Sequence, residues 1–165
     1  MSDMSETNPT LAIMTQGWQT YQEQLSAALA PLTAEQLALR AAPGLRSIEE
    51  LARHLIAVRS RWFHRVLGAG DATFGAIGEW DREGQPPRSA DELVGGLAQT
   101  WQVMQAALAT YTPDDLQGTI AREYQGETHH LQRGWVVWHV IEHDLHHGGE
   151  VSLTLGAHGL AAPDI

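Results

Sequence analysis

The chain has 165 residues, of which 43% are apolar and 18% charged, as expected for one globular domain that buries a hydrophobic core. Its formal charge is −10, with 20 acidic residues against ten cations that are all arginines, so binding to nucleic acid or to an anionic membrane surface is not expected. The sequence has no cysteine and no lysine, which excludes disulfides, thiolate nucleophiles, Cys-type zinc sites and Schiff-base chemistry.

The N-terminal residues, 1–9, are polar and acidic, and we expect them to be flexible. They lack the basic and apolar parts of a secretory signal, and the chain has no run of about 18 apolar residues that would predict a transmembrane helix. We therefore expect a cytoplasmic protein with a single domain over residues 10–160 and a C-terminal tail over 161–165.

Four long segments show the apolar spacing of three and four residues that marks one buried helix face. In chain order they are Thr10–Ala30, Ser47–Leu67, Ser89–Ala109 and Leu131–Leu155. The second and third open with capping boxes, in which Ser47 pairs with Glu50 and Ser89 with Glu92 to satisfy backbone N–H groups of the first turn. These signals predict where two of the helices begin.

The connecting segments are less regular. Asp71–Arg88 is rich in Gly and Pro, which predicts a long loop between the second and third helices. Gly118–His130 is either a loop or an extended piece, and no convincing β alternation is present anywhere. Two pairs of long helices of similar length therefore predict an all-α fold, a four-helix bundle.

Two short segments resemble each other, Ala30–Leu37 after the first predicted helix and Tyr111–Leu116 after the third. Each runs from Thr through acidic residues to Leu, as in a short capped turn. The likeness reflects either two similar helix pairs about a pseudo-twofold axis or a common way of joining helices.

The last predicted helix holds four of the nine histidines within nine consecutive positions. At 3.6 residues per turn, His139, His143, His146, His147 and Glu150 share one stripe roughly a quarter of the circumference wide. Imidazole is the commonest protein metal ligand, and a stripe of imidazoles suits neither a core face nor a solvent face. The stripe therefore predicts one wall of a metal site.

Three pairings within this stripe place two rings on one ion: His143 with His147, His139 with His143, and His143 with His146. His143 belongs to every pairing, so it is the strongest candidate. A third ligand is expected from a facing helix, and His54 lies in mid-helix beside apolar residues. Alone it would more often be a core or half-exposed histidine, but the facing stripe favours a ligand.

The remaining histidines have simpler interpretations. His64 is interpreted as structural, and His158, near the C-terminus, as exposed. His129 and His130 are expected in the loop before the last helix, facing solvent or a pocket rim.

The chain resembles the DinB/YfiT-like superfamily of small metal-binding four-helix proteins over about Leu11 to Leu160. The resemblance is carried by Ser47–Leu55 and, more strongly, by the His-x2-His-His-x-Gly signature within His139–Val151. The family's metal ligands are the histidine of the second helix and the first and last histidines of that signature. The resemblance therefore implies His54, His143 and His147 as ligands. The family usually has Gln where Glu150 stands.

Three imidazoles with open coordination positions are typical of catalytic metal sites, and nitrogen ligands suit Zn²⁺ or Ni²⁺. Characterised relatives include transferases and isomerases that use low-molecular-weight thiols. The resemblance thus implies a divalent-metal-dependent S-transferase that joins a thiol cosubstrate to a small electrophile. A metallohydrolase, a non-catalytic metal-binding stress-response module, and a bundle that binds no metal remain alternatives.

Neighbouring residues each have two interpretations. Glu142, Asp144 and Glu150 either orient ligand N–H groups or are solvated helix charges. Tryptophans either wall a pocket or pack in the core; they are Trp62, Trp80, Trp101, Trp135 and Trp138. A homodimer is expected, because such bundles often bury an exposed helix face and six tryptophans are many for this length.

Overall fold

The computed structural model describes residues 8–163 and is mostly helical. Its long helices are α1 (Pro9–Leu29), α3 (Ile48–Ser60), α5 (Ala90–Leu108) and α7 (Arg133–Ala157), and its short helices are α2 (Ala34–Leu37), α4 (Ala72–Ile77) and α6 (Pro113–Gln117). Most of the predicted flexible N-terminus lies outside the described residues, as do the last two residues of the predicted tail. Of the N-terminal segment, Asn8 caps α1 and Pro9 begins it.

The helices begin where their caps predict. Ser47 and Glu50 form the expected capping box at α3, and Ser89 and Glu92 form the one at α5. The two similar short segments fold alike, since each of α2 and α6 also starts with a threonine capping box. Local hydrogen bonding between side chain and backbone therefore sets these four helix starts.

The second predicted helix is not uniform. Its α-helical part ends at Ser60, and the chain continues as a π-helical segment over Arg61–Val66. A π-helical turn is wider than an α-helical one and is frequent at functional sites. Here it sets the directions in which the side chains of Arg61 and Trp62 project from the helix.

The prediction of an all-α fold is wrong for one segment, because Gly118–His130 lies largely in a β-hairpin. Strands β1 (Thr119–Tyr124) and β2 (Glu127–Gln132) pair antiparallel, with Arg122 opposite His129. The two-residue turn has positive φ at Gln125 and Gly126, as tight hairpin turns require. His129 and His130 therefore lie on β2 rather than in a loop.

The predicted loop over Asp71–Arg88 also needs correction, since it contains α4. Asp71 caps this short helix by accepting the N–H of Phe74, and Phe74 is buried in the core. The rest of the segment is irregular, as the Gly and Pro content predicts.

One hydrophobic core joins the long helices. Helix α3 packs against both α5 and α7, and α1 packs against α5. Tyr21 of α1 meets α7 at Gly148, where a Cβ would lie only 2.0 Å from the Tyr21 hydroxyl oxygen. The close approach of α1 and α7 thus depends on the absence of a side chain at Gly148. Among the described residues, no helix has both the length and the hydropathy needed to span a bilayer.

A buried ion pair lies within this core. Arg59 and Asp144 are fully buried, and Arg59 Nε donates to Asp144 Oδ2 at 2.8 Å. Trp18 Nε1 donates to the same oxygen at 2.7 Å, and Arg59 Nη1 donates to Gln22 Oε1 at 2.8 Å. Asp144 therefore neither orients a histidine nor faces solvent, the two roles expected of it, but ties α7 to α1 and α3.

Candidate metal centre

Helices α3 and α7 bring together His54, His143 and His147. One ring nitrogen from each can be chosen so that all three atoms lie within 4.8 Å of one another. The ring centroids of His54 lie 5.0 Å from His143 and 4.9 Å from His147, and the latter two are 4.5 Å apart. The three residues that sequence reasoning predicted thus form one cluster, which could hold a metal ion.

Two carboxylates orient the outer rings of this cluster. His54 Nδ1 lies 2.6 Å from Asp81 Oδ2, and His147 Nδ1 lies 2.5 Å from Glu150 Oε2. An ionised carboxylate only accepts hydrogen bonds, so the neutral form of each ring carries its proton on Nδ1 and has its lone pair on Nε2. Carboxylates arranged in this way fix the ring orientation of metal-binding histidines and raise their basicity.

Asp81 is itself held by Arg61 of the π-helical segment. Arg61 Nη1 and Nη2 donate to the two carboxylate oxygens at 2.5 and 2.8 Å. Burial alone would raise the pKa of Asp81, but the hydrogen bonds from Arg61 and His54 lower that pKa well below its usual range. A chain of contacts therefore runs from Arg61 through Asp81 to His54. Sequence reasoning missed both Arg61 and Asp81.

Burial favours the neutral form of both His143 and His147. Burial lowers the pKa of His143 to about 3, and the neighbouring imidazoles of His147 and His54 add to this effect. The pKa of His147 is also lowered, because burial outweighs the opposing hydrogen bond to Glu150. Neutral imidazoles have the lone pairs that metal binding needs.

An unsatisfied atom supports the fit of a metal to this cluster. Within residues 8–163, the buried Nδ1 of His143 has no hydrogen-bond partner. A buried polar atom without a partner is costly unless a ligand or water fills the place. The donor set, three imidazoles on two helices, fits a borderline ion such as Zn²⁺ or Ni²⁺.

His139 continues the histidine stripe but lies among tryptophans. Its ring stacks on Trp135 with centroids 5.0 Å apart and an interplanar angle of 6°. Trp62 meets it edge-on at 4.8 Å, and His143 is 5.9 Å away. His139 is therefore a neighbour of the cluster and forms an aromatic group with Trp62 and Trp135.

The other predicted neighbours are distributed as follows. His146 is mostly exposed and lies 3.9 Å from Glu150, and Glu142 is exposed beside His139. His64 has the structural place expected for it, with Nδ1 2.9 Å from the carbonyl oxygen of Ala69. Outside the centre, Trp101 packs in the core, Trp80 lies under Arg88, Trp138 is half-exposed, and His158 bonds the Arg40 carbonyl.

Comparisons with known proteins identify the family and the fold. The sequence model that describes the DinB family matches residues 4–165 of this chain. A DinB-like protein from Bacillus cereus ATCC 10987 has a similar structure, with a TM-score of 0.72 and 21% identity over 98% of this chain and 99% of that one. A candidate member of the DinB family from Exiguobacterium sibiricum 255-15 has a TM-score of 0.66 and 18% identity over 93% and 94%. No curated protein sequence matches significantly.

Proposed function

The chain belongs to the DinB family, and from that premise we propose that it is a divalent-metal-dependent enzyme. Its reaction is the transfer of a low-molecular-weight thiol to a small electrophile. The observation that carries the proposal is the cluster of His54, His143 and His147, whose ligand nitrogens lie within 4.8 Å of one another. We interpret the four long helices as the bundle that holds this cluster.

The positions of the three histidines support their assignment as ligands to a single ion. His54 on α3 and His147 on α7 present Nε2, because Asp81 and Glu150 engage their Nδ1 atoms. His143 lies one helical turn before His147 on α7, and its ring centroid is 5.0 Å from that of His54 and 4.5 Å from that of His147. Three protein ligands leave coordination positions for a substrate, as in catalytic rather than structural sites.

When bound, a divalent ion acts as a Lewis acid that lowers the pKa of a coordinated thiol or water. The protein residues keep the site ready for that chemistry. Asp81, held by Arg61, fixes the tautomer of His54, and the lowered pKa values of His143 and His147 keep both rings unprotonated. His54, His143 and His147 are each only partly buried, which leaves the centre accessible to a small electrophile.

Metal analysis of protein purified without a His-tag tests the first half of the proposal. We expect about one equivalent of Zn²⁺ or Ni²⁺, and a loss of most of it in a His143→Ala variant. The matched control is His146→Ala, since this exposed ring on the same helix is not part of the proposed ligand set. Stoichiometric metal that survives in His143→Ala would refute the ligand assignment, and absence of metal from the wild type would refute metal dependence.

Conjugation assays test the second half. The metal-loaded protein is incubated with an activated aryl halide and, in turn, glutathione, bacillithiol or mycothiol, and we expect turnover with one of these thiols that His143→Ala abolishes. Metal binding without turnover with any thiol would favour the two rivals, a metallohydrolase or a non-catalytic metal-binding module. Ester and amide hydrolysis assays on the same preparation separate those two.

We also propose a homodimer formed through α1 and α7. Met14 of α1 and Trp138 of α7 border the same cleft. Leu145 lies two helical turns after Trp138 on the same face of α7. All three are large apolar side chains that are partly exposed to solvent. Sedimentation velocity is expected to show a dimer that Trp138→Glu converts to monomer and that Leu45→Glu, on an exposed loop, leaves intact. A monomeric wild type would refute the dimer.

A further inference from the structure

Arg122 on strand β1 is held in place by aromatic rings. Its guanidinium carbon lies 4.6 Å from the ring centroid of Trp62 and 5.5 Å from that of Tyr124. Such contacts orient a guanidinium and leave its N–H donors free for bidentate hydrogen bonds. Arg122 is half-buried, so its position is defined more closely than that of a fully solvated side chain.

Within residues 8–163, no carboxylate pairs with this cation. Seven of the ten arginines form ion pairs within the described part of the chain: Arg40, Arg53, Arg59, Arg61, Arg65, Arg82 and Arg88. Arg122 forms neither an ion pair nor a side-chain hydrogen bond with residues 8–163, although the chain has 20 acidic residues. Its five N–H donors are therefore available to an anion from outside.

The ring under Arg122 belongs to an aromatic platform, which we define as Trp62, Trp135 and His139. Trp62 meets Trp135 at 6.0 Å and His139 at 4.8 Å, while Trp135 and His139 stack in parallel. Trp135 is 44% exposed, unusually high for a tryptophan beside two ring partners. The platform lies next to the candidate metal centre, because the ring centroids of His139 and His143 are 5.9 Å apart.

The backbone gives an independent indication that this region is functional. Trp62 and Arg61 are consecutive residues of the π-helical segment. Arg61 supports the metal centre through Asp81, and Trp62 supports the platform and Arg122. One local departure from α-helical geometry thus serves both the candidate centre and its aromatic surroundings.

We infer that Arg122 and the aromatic platform form a subsite for a planar organic anion. The carboxylate of the ligand accepts two N–H bonds from Arg122, and its conjugated ring lies against the exposed part of Trp135. This inference rests on the proposed function and narrows it, because it names the electrophile as a conjugated or aromatic compound bearing a carboxylate.

Calorimetric titration of the full-length, metal-loaded protein tests the subsite with three related probes. These are 2-naphthoate, the neutral 2-naphthamide, and the saturated decahydronaphthalene-2-carboxylate. We expect 2-naphthoate to bind about tenfold more tightly than either of the others, because one lacks the charge for Arg122 and the other lacks the flat ring for the platform. Equal binding of all three, or binding of none, would overturn the proposal.

Variants then locate the bound anion. Arg122→Gln is expected to weaken 2-naphthoate about tenfold and to leave 2-naphthamide unchanged. Arg133→Gln is the matched control, since Arg133 lies over Tyr111 at 5.0 Å in a similar ring contact, and it is expected to bind like the wild type. Trp135→Leu should remove the preference for 2-naphthoate over the saturated acid. Circular dichroism and metal content confirm that each variant is folded and loaded.

The outcomes separate the subsite from the proposed reaction. Unchanged 2-naphthoate affinity in Arg122→Gln would show that the anion binds elsewhere, such as directly at the metal, and would refute the subsite. Arg122-dependent binding without turnover with any thiol would refute the transferase and leave the subsite standing. Thiol-dependent turnover of aryl carboxylates that does not depend on Arg122 would refute the subsite and support the transferase.

Discussion

Three imidazoles surround His143, with ring centroids between 4.5 and 5.9 Å away. Protonating His143 would place a positive charge in a part-buried position beside rings that cannot compensate it. The folded protein therefore keeps this ring neutral, with a pKa lowered to about 3. Such crowding is unfavourable in an ordinary core and is favourable where the rings share a cation.

This crowding predicts how the metal-free protein responds to acid. The unfolded chain protonates His143 near its ordinary pKa of 6.5, whereas the folded chain does so only near about 3. The unfolded state therefore binds more protons in this window, so stability is complete above pH 6.5 and falls as the pH drops towards 3. Thermal unfolding in EDTA should show a falling Tm between pH 7 and 4, and a shallower fall in His143→Gln. Identical slopes for the two proteins would contradict the prediction.

Asp81 predicts a second effect at the level of one residue. In Asp81→Asn the acceptor of the His54 N–H loses its charge, so the metal should bind about 10- to 100-fold more weakly. Glu79→Gln is the control, because Glu79 is an exposed carboxylate of the same segment that pairs with Arg65. Competition with a chromophoric chelator measures both affinities. Equal affinities for the two variants would mean that Asp81 does not support the ligand.

The ligand candidates could be predicted from sequence, but their supports could not. Helical periodicity restricts the ligands on α7 to three possible pairs that all contain His143, and His54 stands out in mid-helix. The choice of His143 with His147 among those pairs comes from the family resemblance. Asp81 lies in an irregular segment where no periodicity relates it to His54, 27 residues earlier. Its contact depends on how that segment folds back on α3, which is a tertiary property.

At the scale of elements, the packing of α1 on α7 predicts opposite effects at two adjacent glycines. Gly148→Ala would push a methyl group into the Tyr21 hydroxyl and should destabilise the protein by about 1–3 kcal/mol. Gly149→Ala, which has open space around it, should stabilise α7 by about 0.5–1 kcal/mol through helix propensity. Urea unfolding of both variants checks the signs. A neutral or stabilising Gly148→Ala would show that the helices can separate easily.

Element boundaries followed the local signals in the sequence. Capping boxes and apolar spacing predicted the long helices to within a few residues. The sequence predicts either a loop or an extended piece over Gly118–His130 and does not single out a hairpin. Most side chains of the hairpin are exposed, so its strands lack an apolar alternation, and its turn is Gln-Gly rather than the more typical Asn-Gly. The change from α- to π-helix at Arg61 has no sequence signal that we recognise.

At the scale of the whole molecule, the ion pair between Arg59 and Asp144 links the packing of the long helices. Arg59→Met would leave Asp144 buried without its cation and should destabilise the protein by about 3–5 kcal/mol. The double variant Arg59→Met with Asp144→Leu should recover most of that loss, since neither charge is then buried. Free energies of unfolding from urea titrations measure both. A double variant as unstable as the single one would show that the pair itself is needed for the fold.

Side chains of α3 also hold the irregular segment that follows α4. Arg53 Nη1 donates to the carbonyl oxygens of Trp80 and Gln85 at 3.0 and 3.3 Å, and Glu49 accepts the backbone N–H of Arg88 at 2.9 Å. Asp81 lies in the segment that these contacts hold against α3. Local opening of this segment therefore breaks the hydrogen bond between Asp81 and His54 while the core stays folded. If a cation binds at His54, His143 and His147 as proposed, we expect its residence time to follow this local opening, which amide hydrogen exchange can measure, rather than global unfolding.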